Sequence, residues 1–319
     1  MGKNARRHHY ISEFYLNGFT HRDGKAKKLI ALNRQENNYF TPTAKNLANV
    51  RDFNRINIPG MKADAVETIL SDFETKAAMT IQEVHTTRKF EGENRLIILE
   101  LMAMFTSRNP NRRENTNGFM SEIFKKSTSI LLNHDSELRR LSEDLATKLG
   151  VKESSKMSAQ ELNNFIHDKT KLELSTEYYL HTESIFIQSI FNALAHRKWV
   201  LVQASEQTGP IITSDNPLIL CWNDPESVPA FYRESPGHAM QNTTVYFSLS
   251  QHLSLVGTFD GEETIAPPND ALVAINNTIH LIHAYSQIYL PTFDFRLLTK
   301  DHGIQDGHWL KKEYKITKK

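Results

Sequence analysis

Apolar residues recur along this chain with two different periods, and the switch between them divides it. Over residues 64–86, Val66, Leu70, Phe73, Ala77, Ile81 and Val84 fall on one stripe of a 3.6-residue repeat, which predicts an amphipathic helix. Residues 94–107 are apolar on every side and predict a buried central helix, with Glu100 as its one acidic interruption. A carboxylate buried there must be paired or protonated. That helix should stop at Arg108-Asn109-Pro110, because the residue before a proline disfavours the α conformation. Polar helices are predicted over 116–133, 136–149 and 158–170, the last with capping-box spacing at Ser158 and Glu161, and 150–158 as a flexible connector. Another amphipathic helix covers 176–196, where Tyr179, Phe186, Ile190 and Leu194 form a stripe that contains Glu183.

From Trp199 onward the pattern is that of strands. Residues 198–203, 210–213, 218–221, 243–249 and 253–258 are short, apolar and bounded by turns, and 269–287 returns to helix. Near the start, 28–33 and 39–41 flank a polar stretch as the arms of a hairpin do. A small β element, a helical middle, then an antiparallel sheet with a late helix make an α+β arrangement. The expected layout is one domain: 1–60 as arm and hairpin, 61–196 as a helical part, and 197–319 as the sheet plus late helix. The helical part should pack on the sheet, with the arm docked between them.

The arm is the most informative segment. Residues 6–19 read Arg-Arg-His-His-Tyr-Ile-Ser-Glu-Phe-Tyr-Leu-Asn-Gly-Phe. A solvated tail has no use for Phe14, Tyr15, Leu16 and Phe19, so the arm should dock and carry titratable groups with it.

The net charge of +1 hides an asymmetry. Residues 1–34 hold eight Lys/Arg against two Asp/Glu, and 309–319 hold five against one. Residues 205–308 hold three Lys/Arg against twelve Asp/Glu. Two readings follow: the basic ends pack on the acidic stretch, or they meet an anionic ligand. One cysteine, Cys221, excludes an intrachain disulfide and a cysteine-rich zinc site. No apolar run approaches the ~18 residues of a membrane span, and the charged N-terminus lacks the apolar segment of a signal peptide, so the expected location is the cytoplasm.

Candidate chemistry is scattered. His8 and His9 are adjacent, so on a strand they point to opposite faces; one can serve as an acid–base while the other packs, or both can pin the arm. Glu67 and Glu74 are seven apart on one helix face, where they can hold a metal or an arginine or merely border the core. Asp215-Asn216-Pro217 reads as a tight turn between strands; its carboxylate either builds that turn or orients a metal ion or a water. Asn276, His280 and His283 share a face of the late helix, where two imidazoles can ligate a metal or the polar groups can bond to the sheet. Arg108, Arg112 and Arg113 can clamp phosphate or pair with carboxylates. There is no glycine-rich phosphate loop and no Gly-x-Ser-x-Gly elbow, and Cys221 lies in an apolar strand.

The opening His-His-Tyr-Ile-x-x-Phe-Tyr-Leu-x-x-Phe resembles the start of a bacterial family, the domain of unknown function numbered 4238. Three further stretches fit that pattern: Lys45-Asn46-Leu47-Ala48 with Asp52-Phe53 and the helix carrying Glu67 and Glu74; the helix ending in Arg108-Asn109-Pro110; and Ile212-Thr213-Ser214-Asp215-Asn216-Pro217. Ser12 stands where the family has proline, which should leave the arm's backbone less fixed. The resemblance runs from the arm to the late helix and implies a bacterial or phage-related cytosolic protein, but no activity. The expected function is a hydrolase acting on nucleic acid, a nucleotide or another phosphate ester. His8, His9 and Asp215 would be its catalytic groups, and Arg108, Asn216, Asn276 and His283 would contact substrate; its cofactor would be a divalent metal ion. The alternative is a non-catalytic binding or sensing module whose motifs lock the fold.

Overall fold

In the computed structural model, which describes residues 7–132, 140, 144, 148, 164–168, 171–233 and 236–319, the switch of hydrophobic period separates helices from strands as expected. The chain forms two compact units: Met1–Asn109 with Thr176–Lys319, and Pro110–Ser175.

In the larger unit the arm is docked. Strand β1 (Arg7–His9) pairs antiparallel with β6 (Asn49–Arg51), and the short helix α1 (Glu13–Leu16) follows. Ile11, Tyr15, Leu16 and Phe19 are buried in the main core, while Phe14 is half-buried against it. Tyr15 is the anchor. Its hydroxyl donates to the Ser248 carbonyl at 2.7 Å and lies 2.9 Å from Thr213 Oγ1. Its ring is edge-on to Phe105 and stacked on Phe247, with centroids 5.0 and 5.6 Å away. Ser12 keeps a φ of −61°, the angle a proline would impose, so the backbone is held there without the ring.

Two hairpins follow the arm. In the first, β2 (His21–Asp23) and β3 (Ala26–Lys28) are joined through Gly24, whose φ of +60° suits the first position of a two-residue hairpin loop. The predicted second hairpin is β4 (Ile30–Asn33) with β5 (Asn38–Phe40), and it belongs to a five-stranded sheet ordered β16-β5-β4-β13-β8. There β8 is Thr213–Ser214, β13 is Gln287–Leu290 and β16 is Thr317–Lys318.

Helices α2 (Ala65–Thr87), α3 (Gly92–Ser107) and α5 (Thr176–Ala195) lie together, with α3 packed on both neighbours and against β9 (Leu218–Trp222). That strand ends a second five-stranded sheet, ordered β12-β7-β11-β10-β9. Its other members are β7 (Lys198–Gln203), β10 (Thr243–Ser250), β11 (Leu253–Thr258) and β12 (Thr264–Ala266). Pairing in both sheets is antiparallel except at one edge of each, where β12 runs parallel to β7 and β16 to β5. The late helix α6 (Asp270–His283) touches β7, β9 and β10 of one sheet and β8 of the other. After β14 (Arg296–Thr299) and β15 (Gly303–Asp306), helix α7 (Gly307–Glu313) leads to the last strand.

Several expectations change. The strand forecast over 210–213 shrinks to β8, which lies in a different sheet from β9, so Asp215-Asn216-Pro217 is a crossing between sheets and not a hairpin turn. Glu100 faces solvent, on the one polar side of an otherwise buried α3, and needs no buried partner. The late helix stops at His283, four residues short of the predicted end. Arg34 donates to the carbonyls of Ile282 and Ala284 at 2.6 and 3.0 Å, satisfying groups that a helix end leaves open. In the smaller unit α4 (Pro110–Leu132) begins earlier than forecast, because proline fits the first turn of a helix. Residues 164–168 are helical, while most of the forecasts for 136–149 and 158–170, and all of the connector, lie outside the described residues.

Candidate functional site

The four motif stretches converge in the larger unit. His8, on β1, is buried, and its Nδ1 accepts the Asn54 backbone N–H at 2.8 Å. The neutral ring must therefore carry its proton on Nε2. Asn54 Nδ2 in turn donates to Glu67 Oε1 at 2.5 Å, and that oxygen lies 3.8 Å from His8 Nδ1. His9, on the opposite face of the strand, is half-buried, with Nε2 3.2 Å from the Lys45 carbonyl. Tyr10 N donates to the Ala48 carbonyl at 2.9 Å. Ala48 is held at a φ of +46°, a strained angle for alanine that such contacts must maintain.

One turn further along the arm, Ser12 Oγ donates to Glu74 Oε1 at 2.6 Å. The hydroxyl at the family's proline position thus ties the arm to α2. Burial pushes the Glu74 carboxyl above the usual carboxylate range, and Glu67 adds to the push. The Ser12 hydrogen bond and the charges of Arg108 and His9 pull the other way. Arg108 itself is buried at the C-terminus of α3, with its N–H on the Met104 carbonyl. Arg112 and Arg113, expected beside it, begin α4 in the other unit.

Asp215 is placed quite differently from a metal ligand with open lone pairs. It is 2% exposed, and both carboxylate oxygens are taken. Oδ1 accepts from Tyr285 N at 2.8 Å; Oδ2 accepts from Ser286 N at 2.7 Å, Ser286 Oγ at 2.8 Å and Gln287 N at 2.9 Å. Its own N–H donates to the Gln287 carbonyl, and Asn109 Nδ2 donates to its carbonyl at 3.0 Å. The carboxylate is thus a clamp on the chain that leaves α6. Tyr10 and Tyr289 lie nearby, the Tyr289 hydroxyl donating to Gln287 Oε1 at 3.0 Å. Burial and the Asp215 charge push the Tyr10 phenol up to about 12, and burial, Tyr10 and Asp215 push Tyr289 up as well. Asn216 donates through Nδ2 to the His283 carbonyl at 3.1 Å, tying the same crossing to the end of α6.

The late-helix residues form a separate network. Asn276 and His280 are fully buried. Asn276 accepts from Ser254 Oγ at 2.6 Å and donates to Ser248 Oγ at 3.1 Å; His280 Nε2 lies 2.9 Å from the same Ser248 oxygen. Burial, with His283 adding, pushes the His280 imidazole down to about 3, so it stays neutral. A serine–histidine contact so enclosed has no access for a substrate. His283 faces outward, with Nε2 3.4 Å from Cys221 Sγ. Burial pushes the thiol up to about 11 and the His283 imidazole down, so both stay uncharged.

The arm histidines, Glu74 and Arg108 therefore share one electrostatic neighbourhood, and Asn109 joins it to Asp215. Asn276, His280 and His283 do not belong to it. The sequence reading missed Ser12, Asn54, Tyr289, Asn277, Ser248 and Ser254. Asn277, which donates to the Pro210 and Arg296 carbonyls and accepts from Ile212 N, was readable only as a polar residue on a helix otherwise rich in Ile, Leu and Val. Among the described residues, no group of three or more His, Cys, Asp or Glu is arranged to hold a metal ion, and no helix is long and apolar enough to cross a membrane.

Neither a curated protein nor a solved structure matches the chain. The model of one family, described as "Protein of unknown function (DUF4238)", matches residues 7–292, which take in all four motif stretches and the late helix. With most of its length matched, from the first described strand past β13, this chain belongs to the DUF4238 family.

Proposed function

We propose that the chain is a non-catalytic binding module whose motif residues lock its fold, acting in the cytoplasm on an anionic ligand. The observation that carries this reading is the Asp215 carboxylate, which is buried and engages both oxygens in four internal hydrogen bonds, turned toward the chain and not toward a ligand. The other motif groups are spent in the same way, on one another: His8 on Asn54, Ser12 on Glu74, Asn109 on Asp215. Mutually satisfied groups rigidify a fold, whereas a catalytic set leaves donors and acceptors aimed at a substrate.

Glu74 favours a second reading, a hydrolase acting on nucleic acid or another phosphate ester. A half-buried carboxyl with a raised pKa, within reach of the charges of His9 and Arg108, is suited to acid–base work. Incubation with RNA, single-stranded DNA, duplex DNA and nucleotides, with and without Mg²⁺ or Mn²⁺, decides between the two. The binding-module reading expects no turnover of any of them. Cleavage that falls about a hundredfold or more in a folded His9→Ala or Glu74→Gln variant, the scale of a lost acid–base group, would establish the hydrolase instead.

A further inference from the structure

The arm packs against the acidic stretch through β4, Tyr15 and Arg34, yet the described residues of the basic ends form no ion pair with it. Among the described residues, the ion pairs made by the lysines and arginines of 7–34 and 309–319 go to Asp23 and Glu36, and none reaches an Asp or Glu of 205–308. Strand β16 lays Thr317 and Lys318 along β5, and Lys319 lies 3.5 Å from Glu36. The hairpin itself reads His-Arg-Asp-Gly-Lys-Ala-Lys-Lys, with Asp23 as its one carboxylate.

The register sharpens this. His21 pairs with Lys28 and Arg22 with Lys27. Residues directly opposite across antiparallel strands share a face, so Asp23 and Lys28, 2.7 Å apart, neutralise each other on one face. On the other face Arg22 and Lys27 stand opposite each other, both exposed, with no carboxylate between them. Like charges so placed destabilise a hairpin. They border a groove of about 450 Å³ whose remaining lining is Asn17, Thr20, His21 and Gln251, hydrogen-bonding groups without an acid among them. Gln251 fastens that wall to the arm, donating through N to the Gly18 carbonyl and through Nε2 to the Thr20 carbonyl.

We propose that this groove, with Arg22 and Lys27 at its edge, takes the phosphodiester backbone of a nucleic acid strand without regard to sequence. The inference rests on the reading of the chain as a binding module and names the ligand. A chain of phosphates supplies the negative charge that the Arg22–Lys27 pair lacks, and the Asn17 amide and the second Nε2 hydrogen of Gln251 can donate to its oxygens. A strand suits the shape better than a membrane, because the cations line one groove and the rest of the unit carries the acidic surplus of 205–308.

The test is anisotropy of a labelled single-stranded DNA oligonucleotide titrated with the full chain, from ~50 mM to ~200 mM salt. Binding should weaken steeply as salt rises. The Arg22→Ala/Lys27→Ala variant should bind about tenfold or more weakly at ~50 mM salt, with a salt slope smaller by roughly 1.4, while melting at or above the wild-type temperature because the repulsion is gone. Unchanged affinity in the double variant, binding that ignores salt, or binding of phosphatidylserine vesicles but not of the oligonucleotide would overturn the proposal. Cleavage of the oligonucleotide during the titration would refute the non-catalytic reading and leave the surface standing; unchanged affinity with an intact oligonucleotide does the reverse.

Discussion

Asp215→Ala is the most direct test of the claim that the Ile-Thr-Ser-Asp-Asn-Pro stretch is architectural. The substitution strips the acceptor from three backbone N–H groups, those of Tyr285, Ser286 and Gln287, and from one hydroxyl. Hydrogen bonds to a charged acceptor are worth about 1.5–3 kcal/mol each, so a plain sum would run from roughly 6 to 12 kcal/mol. The sum overshoots, because bonds sharing one acceptor are not additive and Tyr285, which is exposed, can turn its N–H to water. We expect about 4 kcal/mol, near the upper end for a single substitution. Asp215→Asn is the finer probe. Its best orientation keeps the oxygen toward Ser286 and Gln287 and sets the new NH₂ against the Tyr285 N–H, donor to donor, for a loss of about 2 kcal/mol. All three tryptophans, Trp199, Trp222 and Trp309, lie in the larger unit, so urea unfolding followed by tryptophan fluorescence reads the affected unit directly. Amide exchange at 285–287 should accelerate in both variants well before global unfolding. An Asp215→Ala protein within about 1 kcal/mol of wild type, or one whose 285–287 amides stay protected, would refute the reasoning and return Asp215 to the list of catalytic groups.

His280 carries a pH signature. Its folded pKa, about 3, lies below the ordinary value of 6.5, so its neutral burial contributes stability above pH 6.5 that is lost as pH falls toward 3. The advantage of wild type over His280→Gln in urea melts should therefore be about 2 kcal/mol smaller at pH 5 than at pH 7.5; an advantage that does not change with pH would contradict the buried-neutral assignment. Gly257 lies opposite Trp199 across β11 and β7, and a Cβ there would sit 2.7 Å from the indole. Gly257→Ala should cost about 1–3 kcal/mol and perturb the near-ultraviolet signal of the buried Trp199; a neutral substitution would mean that this sheet has more room than its packing indicates.

The helices and most strands were legible because their information is local. The stripe from Val66 to Val84 and the uninterrupted apolar run before Arg108 each bury one face or the whole of a helix, and β7 and β11 end where their residues stop being apolar. The end of the late helix was misplaced because distant partners decide it. Periodicity carries α6 on to residue 287; Arg34 and Asp215, roughly 250 and 70 positions earlier in sequence, end it by taking the carbonyls of Ile282 and Ala284 and the N–H groups of 285–287. Glu100 was misread because an apolar run shows how much of a helix is covered but not which side the one carboxylate occupies.

The same distinction governs the candidate site. Read locally, Asp215-Asn216-Pro217 has the chemistry of a turn, and the dipeptide His8-His9 that of an acid–base pair. In the structure the turn residues close no hairpin: Ser214 Oγ accepts the Asn216 N–H and donates to the Asn216 carbonyl, while the Asp215 carboxylate reaches across to the chain leaving α6. At that crossing the chain passes from one five-stranded sheet to the other, a point where neither ladder can satisfy the backbone. A carboxylate with two oxygens and several lone pairs is the side chain that can absorb three stray N–H groups at once. Asn109, which follows α3, is held to the same crossing, and Tyr10, which follows the two histidines, lies close enough to feel the Asp215 charge. The stretches that mark the family therefore meet for a physical reason that requires no reaction: each supplies polar groups at a place where secondary structure alone leaves the backbone unpaired. Chemistry directed at a ligand has to be sought where charge is left over, and the exposed Arg22–Lys27 pair is such a place.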